Sequence, residues 1–396
     1  MRPISMGLDR GRQRETNEDF AVMDEALGFG LVADGVGGRA GGDRAARLAA
    51  ETVHGVVREQ RWVLDNARKN IISEEVAKLM RFAVVKASQL IFDEARQHPE
   101  HAGMSTTCTF CLDLGKKGLI GHVGDSRAYL IRAGEATRLT EDHVAVIREG
   151  TEERRALARA LGAQRDVAVD LSWVDLRGED RLVLCTDGVS DQIPDPHELV
   201  VALDAFGSKV APDLLIDLVN CRGGPDNEAV VVIDREPGSI PERAREAWED
   251  VRPQLDVLRS LPLFSKLSYL DLEQLRAHVS VESVAAGDDL APDEGQPWLG
   301  IIARGEADLD LGCGVRERIG VGALLGETAV GNAAAWPYRA TAVSDLSVVT
   351  LPVSVVRGFA SQNQRAAFPV LDSLLRAASA RLSSLTRAAR GPAGQG

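Results

Sequence analysis

With 396 residues the chain has room for two or three domains, and 44% apolar with 27% charged residues is the composition of an ordinary globular protein. A net charge of −13 excludes general nucleic-acid binding, which neutralises phosphates with Lys and Arg, and argues against adhesion to an anionic membrane. No stretch reaches the roughly 18 apolar residues of a membrane span. The start, Met1-Arg2-Pro3-Ile4-Ser5-Met6-Gly7, lacks an apolar signal core, so the expected location is the cytoplasm.

In chain order, the apolar run Phe29 to Ala33 comes first, followed by a helix expected over Arg44 to Val57. The clearest helix is Ser73 to Gln97. Val76, Leu79, Met80, Ala83, Val84, Ala87, Leu90 and Ile91 form one buried stripe, Ser73 caps it, and Glu74 and Glu75 suit its positive end. Short β runs follow at Thr106 to Leu114, Leu119 to Val123, Ala128 to Ile131, Arg181 to Cys185 and Ala229 to Ile233. Helices packed over a sheet core fit this pattern, an α+β unit over residues 1–235. Residues 236–252, with two prolines, a glycine and dense charge, read as a linker closed by a short helix near Arg243 to Val251. A second domain is expected over 253–388, with a helix at Tyr269 to His278, Gly-punctuated strands to about Leu351 and a final helix from Ala366 to Leu385. Residues 389–396 read as a disordered tail. Cys108 and Cys111 form a CxxC without a second pair or a nearby His, so they read as thiols packed beside a strand rather than zinc ligands.

Five acidic residues stand at expected strand ends or turns. They are Asp19 in Arg14-Glu15-Thr16-Asn17-Glu18-Asp19, Asp34 in Val32-Ala33-Asp34-Gly35-Val36-Gly37-Gly38, Asp125 in Val123-Gly124-Asp125-Ser126-Arg127, Asp187 in Leu184-Cys185-Thr186-Asp187-Gly188, and Asp226 in Gly224-Pro225-Asp226-Asn227. Neighbouring strands would bring these carboxylates together, and clustered hard oxygens suit Mg²⁺ or Mn²⁺ rather than zinc. Such a site can neutralise a phosphate dianion and activate water, and it needs one Arg, whose guanidinium offers a fixed fork of donors for phosphate oxygens. Gly35-Val36-Gly37-Gly38-Arg39-Ala40 has the look of a dinucleotide-binding loop, but no acidic residue is well placed some 20 residues on to hold a ribose.

Taken in order over about 230 residues, these motifs resemble the metal-dependent Ser/Thr protein phosphatases of type 2C, in their bacterial form. The resemblance implies an α-β-β-α sandwich and hydrolysis of phosphoserine and phosphothreonine in proteins by metal-activated water. It makes Arg14 the phosphate clamp, and Asp19 and Asp34 the catalytic metal ligands, with Asp34 bridging two Mn²⁺ or Mg²⁺ ions. The Gly35 carbonyl, Glu18 through a water, Asp187 and Asp226 complete the pair, and Asp125 with Asp187 would hold a third ion. Phosphorylated proteins, among them Ser/Thr kinases or their substrates, are the implied partners. A phosphorylated anti-sigma antagonist and a non-catalytic metal-binding scaffold are the alternatives. The chain departs from the family at Val36, where animal members carry a His, and at Asp226-Asn227-Glu228-Ala229, which replaces Asp-Asn-Ile-Thr. The segment between Leu139–His143 and Arg159–Gly162 is shorter than in typical bacterial members, which implies a more open site. His143 reads as a structural turn residue.

In the second domain, Trp298 to Ala307, Leu325-Gly326-Glu327-Thr328-Ala329-Val330 and Pro337-Tyr338-Arg339-Ala340-Thr341-Ala342 are similar to a cyclic-nucleotide-binding domain, a β-roll with flanking helices. The resemblance implies that Glu327 accepts from a ribose hydroxyl and Arg339 pairs with the cyclic phosphate. Gly326, Thr328, Ala329 and Ala340 would complete the site, with cyclic AMP as regulator. Two readings stay open: nucleotide binding, or a β-roll that has lost its ligand.

Overall fold

A computed structural model describes residues 3–37, 41–70, 73–149, 152–235, 241–291, 297–312, 314–331, 336–362 and 364–389. The chain divides into two compact units, Met1–Glu249 and Asp250–Gly396.

The first unit runs β1 (Ile4–Asp9), β2 (Asp19–Asp24), β3 (Phe29–Val36), α1 (Gly42–Glu59), α2 (Arg61–Asn70), α3 (Ser73–Gln97), β4 (Ser105–Thr106), β5 (Cys108–Asp113), β6 (Lys117–Val123), β7 (Arg127–Arg132) and β8 (Glu135–Arg138). It continues with β9 (Val144–Glu149), β10 (Glu152–Leu157), β11 (Asp170–Asp175), β12 (Arg181–Cys185), α4 (Asp187–Ser190), α5 (His197–Phe206), α6 (Ala211–Cys221) and β13 (Glu228–Asp234). Two antiparallel sheets, ordered β1-β13-β12-β7-β8 and β11-β6-β5-β3-β2, face each other. Their shared core holds Ile4, Val32, Cys111, Ile120, Leu130, Leu184 and Val231. A second core, with Phe29, Leu31, Val53, Met80, Val84 and Phe110, joins the other sheet face to α1 and α3. α6 packs on β1 and β13. The layers are therefore helix, sheet, sheet, helix.

Strand alternation decides the cysteines. Cys108 faces the helix-side core and Cys111 the inter-sheet core, so the two cannot share an ion or a bond. Burial pushes the Cys108 thiol up to about 12. α3 spans the expected residues, although Leu90 lies at the edge of the stripe and is exposed. The run expected as one strand from Thr106 breaks at Thr107, because the Thr107 N–H donates to the Asp34 carbonyl at 2.9 Å.

The second unit contains most of α7 (Pro241–Ser260), then α8 (Tyr269–Arg276), β14 (Ser280–Val284), β15 (Asp289–Leu290), β16 (Trp298–Arg304), β17 (Ala307–Asp310), β18 (Arg316–Ile319) and β19 (Leu324–Leu325). α9 (Glu327–Gly331), β20 (Arg339–Ala342), β21 (Leu346–Pro352), α10 (Val353–Gln362) and α11 (Gln364–Ala389) complete it. Ser268 caps α8 by accepting from the Asp271 N–H, and the Asp271 carboxylate accepts from the Ser268 N–H in return. Two four-stranded antiparallel sheets, β14-β21-β16-β19 and β15-β20-β17-β18, enclose Ile302, Leu309, Leu325, Trp336, Tyr338 and Val348. The short linker helix is a correction: α7 is 20 residues long and extends to Ser260. The tail from 390, residues 236–240, and the expected loop residues Gly38, Arg39 and Ala40 lie outside the described residues. Among the described residues, no helix is long and apolar enough to cross a membrane.

Candidate metal centre

The register of two strands starts the site. β2 and β3 pair with Asp19 directly opposite Asp34, which sets their Cβ atoms about 5 Å apart. Asp125 follows β6, and Asp187 follows β12 as the first residue of α4. One carboxylate oxygen each from Asp34, Asp125 and Asp187 lies within 4.8 Å of the other two. Asp226 closes the far side, just before β13, and takes a hydrogen bond from Arg14 Nη2 at 2.7 Å. The five motifs thus meet at one edge of the sandwich.

Neighbours fix these side chains. The Thr186 hydroxyl donates to Asp19 Oδ2 at 2.7 Å, and the Asp19 N–H donates to Asn17 Oδ1 at 3.0 Å. The Asp34 N–H donates to the Thr107 hydroxyl at 2.8 Å, and that hydroxyl lies 2.7 Å from the Ser126 hydroxyl, next to Asp125. Asn227 ties the Arg14–Asp19 segment to β13. Its Oδ1 accepts from the Glu18 N–H at 2.9 Å, and its Nδ2 donates to the carbonyls of Arg10 and Thr16, both at 2.8 Å. Thr186, Thr107, Ser126 and Asn227 had no assigned role in the sequence. Thr186 and Asn227 sit beside motif aspartates, which was the available signal.

Two glycines are required by close approach. A Cβ at Gly35 would stand 2.0 Å from the Gly42 carbonyl oxygen, and one at Gly188 would stand 1.9 Å from the Asn227 carbonyl oxygen. Both obstacles are backbone, so the Asp-Gly pairs at 34–35 and 187–188 answer a packing need as well as a turn preference.

Electrostatically the cluster is strained. Burial, then the Asp187 and Asp226 carboxylates, push Asp19 up to about 8 against the lowering bond from Thr186. Burial and the neighbouring Asp19 and Asp187 charges hold Asp34 well above the usual carboxylate range. Asp187 is raised by burial, and Asp125 is pushed to about 6 by burial and then Asp187. Glu18 is raised by burial and by Asp43. Asp125 Oδ1 is buried with no hydrogen-bond partner. An all-oxygen, mutually repelling donor set with an orphaned oxygen fits hard divalent cations, which would relieve every one of these shifts.

This gives a pH prediction for protein freed of metal by chelation. Folded-state values above the usual 3.9 mean that the folded cluster keeps protons the unfolded chain releases. Stability present below about pH 4 is therefore lost as pH climbs through about 6 for Asp125 and about 8 for Asp19. Thermal midpoints in EDTA should fall from pH 5 to 8.5, and Mn²⁺ should stabilise more as pH rises, since ligands must be deprotonated. A midpoint that climbs over that range in EDTA would refute this.

The segment after the cluster is held by His143. The Gly124 N–H donates to His143 Nδ1 at 3.1 Å, so Nε2 carries the proton and donates to Asp170 at 2.9 Å. Both ring nitrogens are engaged, in keeping with a structural residue. His122, at a ring-centroid distance of 4.5 Å, is driven down to about 4 by burial and stays neutral. Glu228, in the departing Asp226-Asn227-Glu228-Ala229 motif, is fully buried and pushed up to about 8 by burial and Asp9. It packs as a neutral acid beside Asn220, 3.4 Å away. β9 and β10 form the short hairpin beside the site; Val144, Ala156 and Leu157 line a cavity of about 540 Å³ that also contains Asp34, Asp125 and Asp187.

The residues expected to bind a nucleotide have partners of their own. Glu327 is buried and ion-paired with Arg381 of α11, and it accepts from the Tyr338 hydroxyl at 3.1 Å. Arg381 also lies over the Tyr338 ring at 4.8 Å and donates to the Leu324 carbonyl. Strand alternation turns Tyr338 and Ala340 into the core and Arg339 outward. The Arg339 side chain is 76% exposed, with Asp289 at 3.7 Å. The Gly326 N–H donates to the Tyr338 hydroxyl at 2.6 Å, and the Ala329 N–H donates to the Gly326 carbonyl at 3.0 Å. Thr328 lies in the same short helix, α9. Glu327 is thus held by a side chain of this chain, while Arg339 stands at the surface.

Comparison with known proteins bears on the first unit. The family model for protein phosphatase 2C matches residues 9–213, more than half of the chain. The serine/threonine protein phosphatase PstP of Mycobacterium tuberculosis is 34% identical over 239 residues, covering 57% of this chain and 43% of that protein. The serine/threonine phosphatase stp of Listeria monocytogenes is 29% identical over 256 residues, covering 60% of this chain and 97% of that one. A crystal structure of the M. tuberculosis phosphatase PstP/Ppp superposes with a TM-score of 0.51 at 29% identity, over 60% of this chain and 99% of that chain.

Proposed function

Because the chain belongs to the protein phosphatase 2C family, and is by class a protein-serine/threonine phosphatase, we propose that its first unit hydrolyses phosphoserine and phosphothreonine in proteins with Mn²⁺ or Mg²⁺. The observation that carries the proposal is the convergence of Asp19, Asp34, Asp125, Asp187 and Asp226, from five separate motifs, on one partly buried acidic cluster. Divalent cations bound there would supply charge neutralisation toward the phosphate dianion and lower the pKa of water. Asp34, beside both Asp19 and Asp187, would be shared by two cations, with Asp226 and the Gly35 carbonyl completing the pair and Glu18 acting through water. Asp125 with Asp187 would hold a third.

Arg14 orients the substrate. Its side chain is 55% exposed and already at the cluster edge on Asp226, where its planar donors can exchange that carboxylate for phosphate oxygens. Arg14→Ala should raise KM for a phosphothreonine peptide about tenfold, with a smaller effect on kcat. An unchanged KM would remove the clamp role. The direct assay is hydrolysis of that peptide with Mn²⁺ and with EDTA.

For the second unit we propose regulation through a protein partner rather than through cyclic AMP. Phe368, Leu371, Leu375 and Leu382, exposed by 72, 43, 66 and 65%, line one face of α11, about 100° around the helix from the buried Ala367, Val370, Leu374 and Arg381. Calorimetry should detect no heat of cyclic AMP binding; micromolar binding would restore the nucleotide reading.

A further inference from the structure

The cavity beside the acidic cluster is lined by two chemically distinct sets of side chains. Asp34, Asp125 and Asp187 form one. Val36, Val144, Ala156, Leu157, Ala158 and Ala163 form the other, an apolar recess under the β9–β10 hairpin. The lining cation is already engaged: Arg127 donates to Asp142 at 2.9 Å, with Asp191 at 3.9 Å. The recess therefore offers a substrate mostly methyl groups and no free charge of either sign apart from the outer edge at Asp191.

The recess is preformed. The Thr106 and Leu161 backbones exchange hydrogen bonds at 3.1 and 2.9 Å, and the Ala158 N–H donates to the His143 carbonyl at 2.7 Å. The Gly162 N–H donates to the Ser88 hydroxyl at 3.1 Å, which fixes the loop onto α3. Ala156, Ala158 and Ala163 bring the smallest apolar side chains to this wall, so room is left for a large one from outside.

Resting on the phosphatase reading, we propose that this recess selects substrates with a large apolar residue, such as Leu or Phe, immediately beside the phosphorylated residue. When the phosphate lies against the acidic set, the next Cα is only about 3.8 Å along the chain, so a large side chain there can reach the same cavity if the peptide is turned at that bond. A recess walled by alanine and valine methyls gains from burying an apolar chain and loses by desolvating a polar one. The discrimination expected from one such pocket is about tenfold to a hundredfold in kcat/KM.

The test uses the full chain with Mn²⁺ and phosphothreonine peptides differing only at the flanking position, Leu against Gln. The Leu peptide should be preferred at least about tenfold. Ala158→Glu and Ala163→Leu, both at exposed positions and so tolerated by the fold, should bring the ratio close to one. Equal kcat/KM for the two peptides in the parent protein, or a preference untouched by both variants, would overturn the proposal. Hydrolysis of p-nitrophenyl phosphate separates the failures. If it proceeds while the peptides are treated alike, the recess is wrong and the phosphatase stands. If it is absent with Mn²⁺, the phosphatase reading fails and this proposal falls with it.

Discussion

Asp34→Asn is expected to lower turnover on the order of a thousandfold, about 4 kcal/mol of lost transition-state stabilisation. Asp34 lies opposite Asp19 in the β2–β3 register and feels the Asp187 and Asp125 charges, so it is the shared member of the central pair of ion positions proposed here. The amide is nearly isosteric but carries no charge and offers one oxygen. Stability should move the other way. Asp34 is held well above the carboxylate range by burial and three neighbouring carboxylates, so in EDTA the amide relieves repulsion and the thermal midpoint should rise. Loss of activity with a higher metal-free midpoint separates loss of a ligand from misfolding. Retained turnover, or a lower midpoint in EDTA, would count against the assignment.

Arg381→Ala is expected to destabilise the second unit by about 3–5 kcal/mol, because it leaves Glu327 buried without its cation. Tyr338 and Leu324 lose a donor as well. Hydrogen exchange of the amides of β20 and of residues 324–331, followed in urea, would read this opening. Replacing both partners, Arg381→Met with Glu327→Leu, should recover most of the loss, since a matched apolar pair has no charge to desolvate. If the single variant shifts the opening free energy by under about 1 kcal/mol, Glu327 has another partner or is solvated.

The fold of the first unit was largely readable because its signals are local. The 3.6-residue stripe in Ser73–Gln97 and the apolar runs ending at Asp34, Asp125 and Asp187 coincide with α3, β3, β6 and β12. α5 and α6 gave no clear stripe, since helices buried along much of their surface lose amphipathic contrast. β11 is a half-buried edge strand and alternates only weakly. The five aspartates that the fold brings together were legible because each sits in a short motif, whereas the hydroxyls that orient them depend on register. Thr107 meets Asp34 across 73 positions, and Thr186 meets Asp19 across 167. The partners of the residues expected to hold a nucleotide were hidden for a similar reason. Spacing put Glu327 and Arg339 in one segment, but the pleat turned Arg339 outward, and Arg381, 54 positions past Glu327, took the acid.

The central claim is most directly tested by hydrolysis of a phosphothreonine peptide by the full chain, with Mn²⁺, with EDTA, and with cyclic AMP added to the Mn²⁺ reaction. Release of phosphate that requires Mn²⁺ and ignores cyclic AMP is the predicted result. No turnover from protein that still binds Mn²⁺ would contradict it, and would leave the acidic cluster as the metal site of a non-catalytic scaffold.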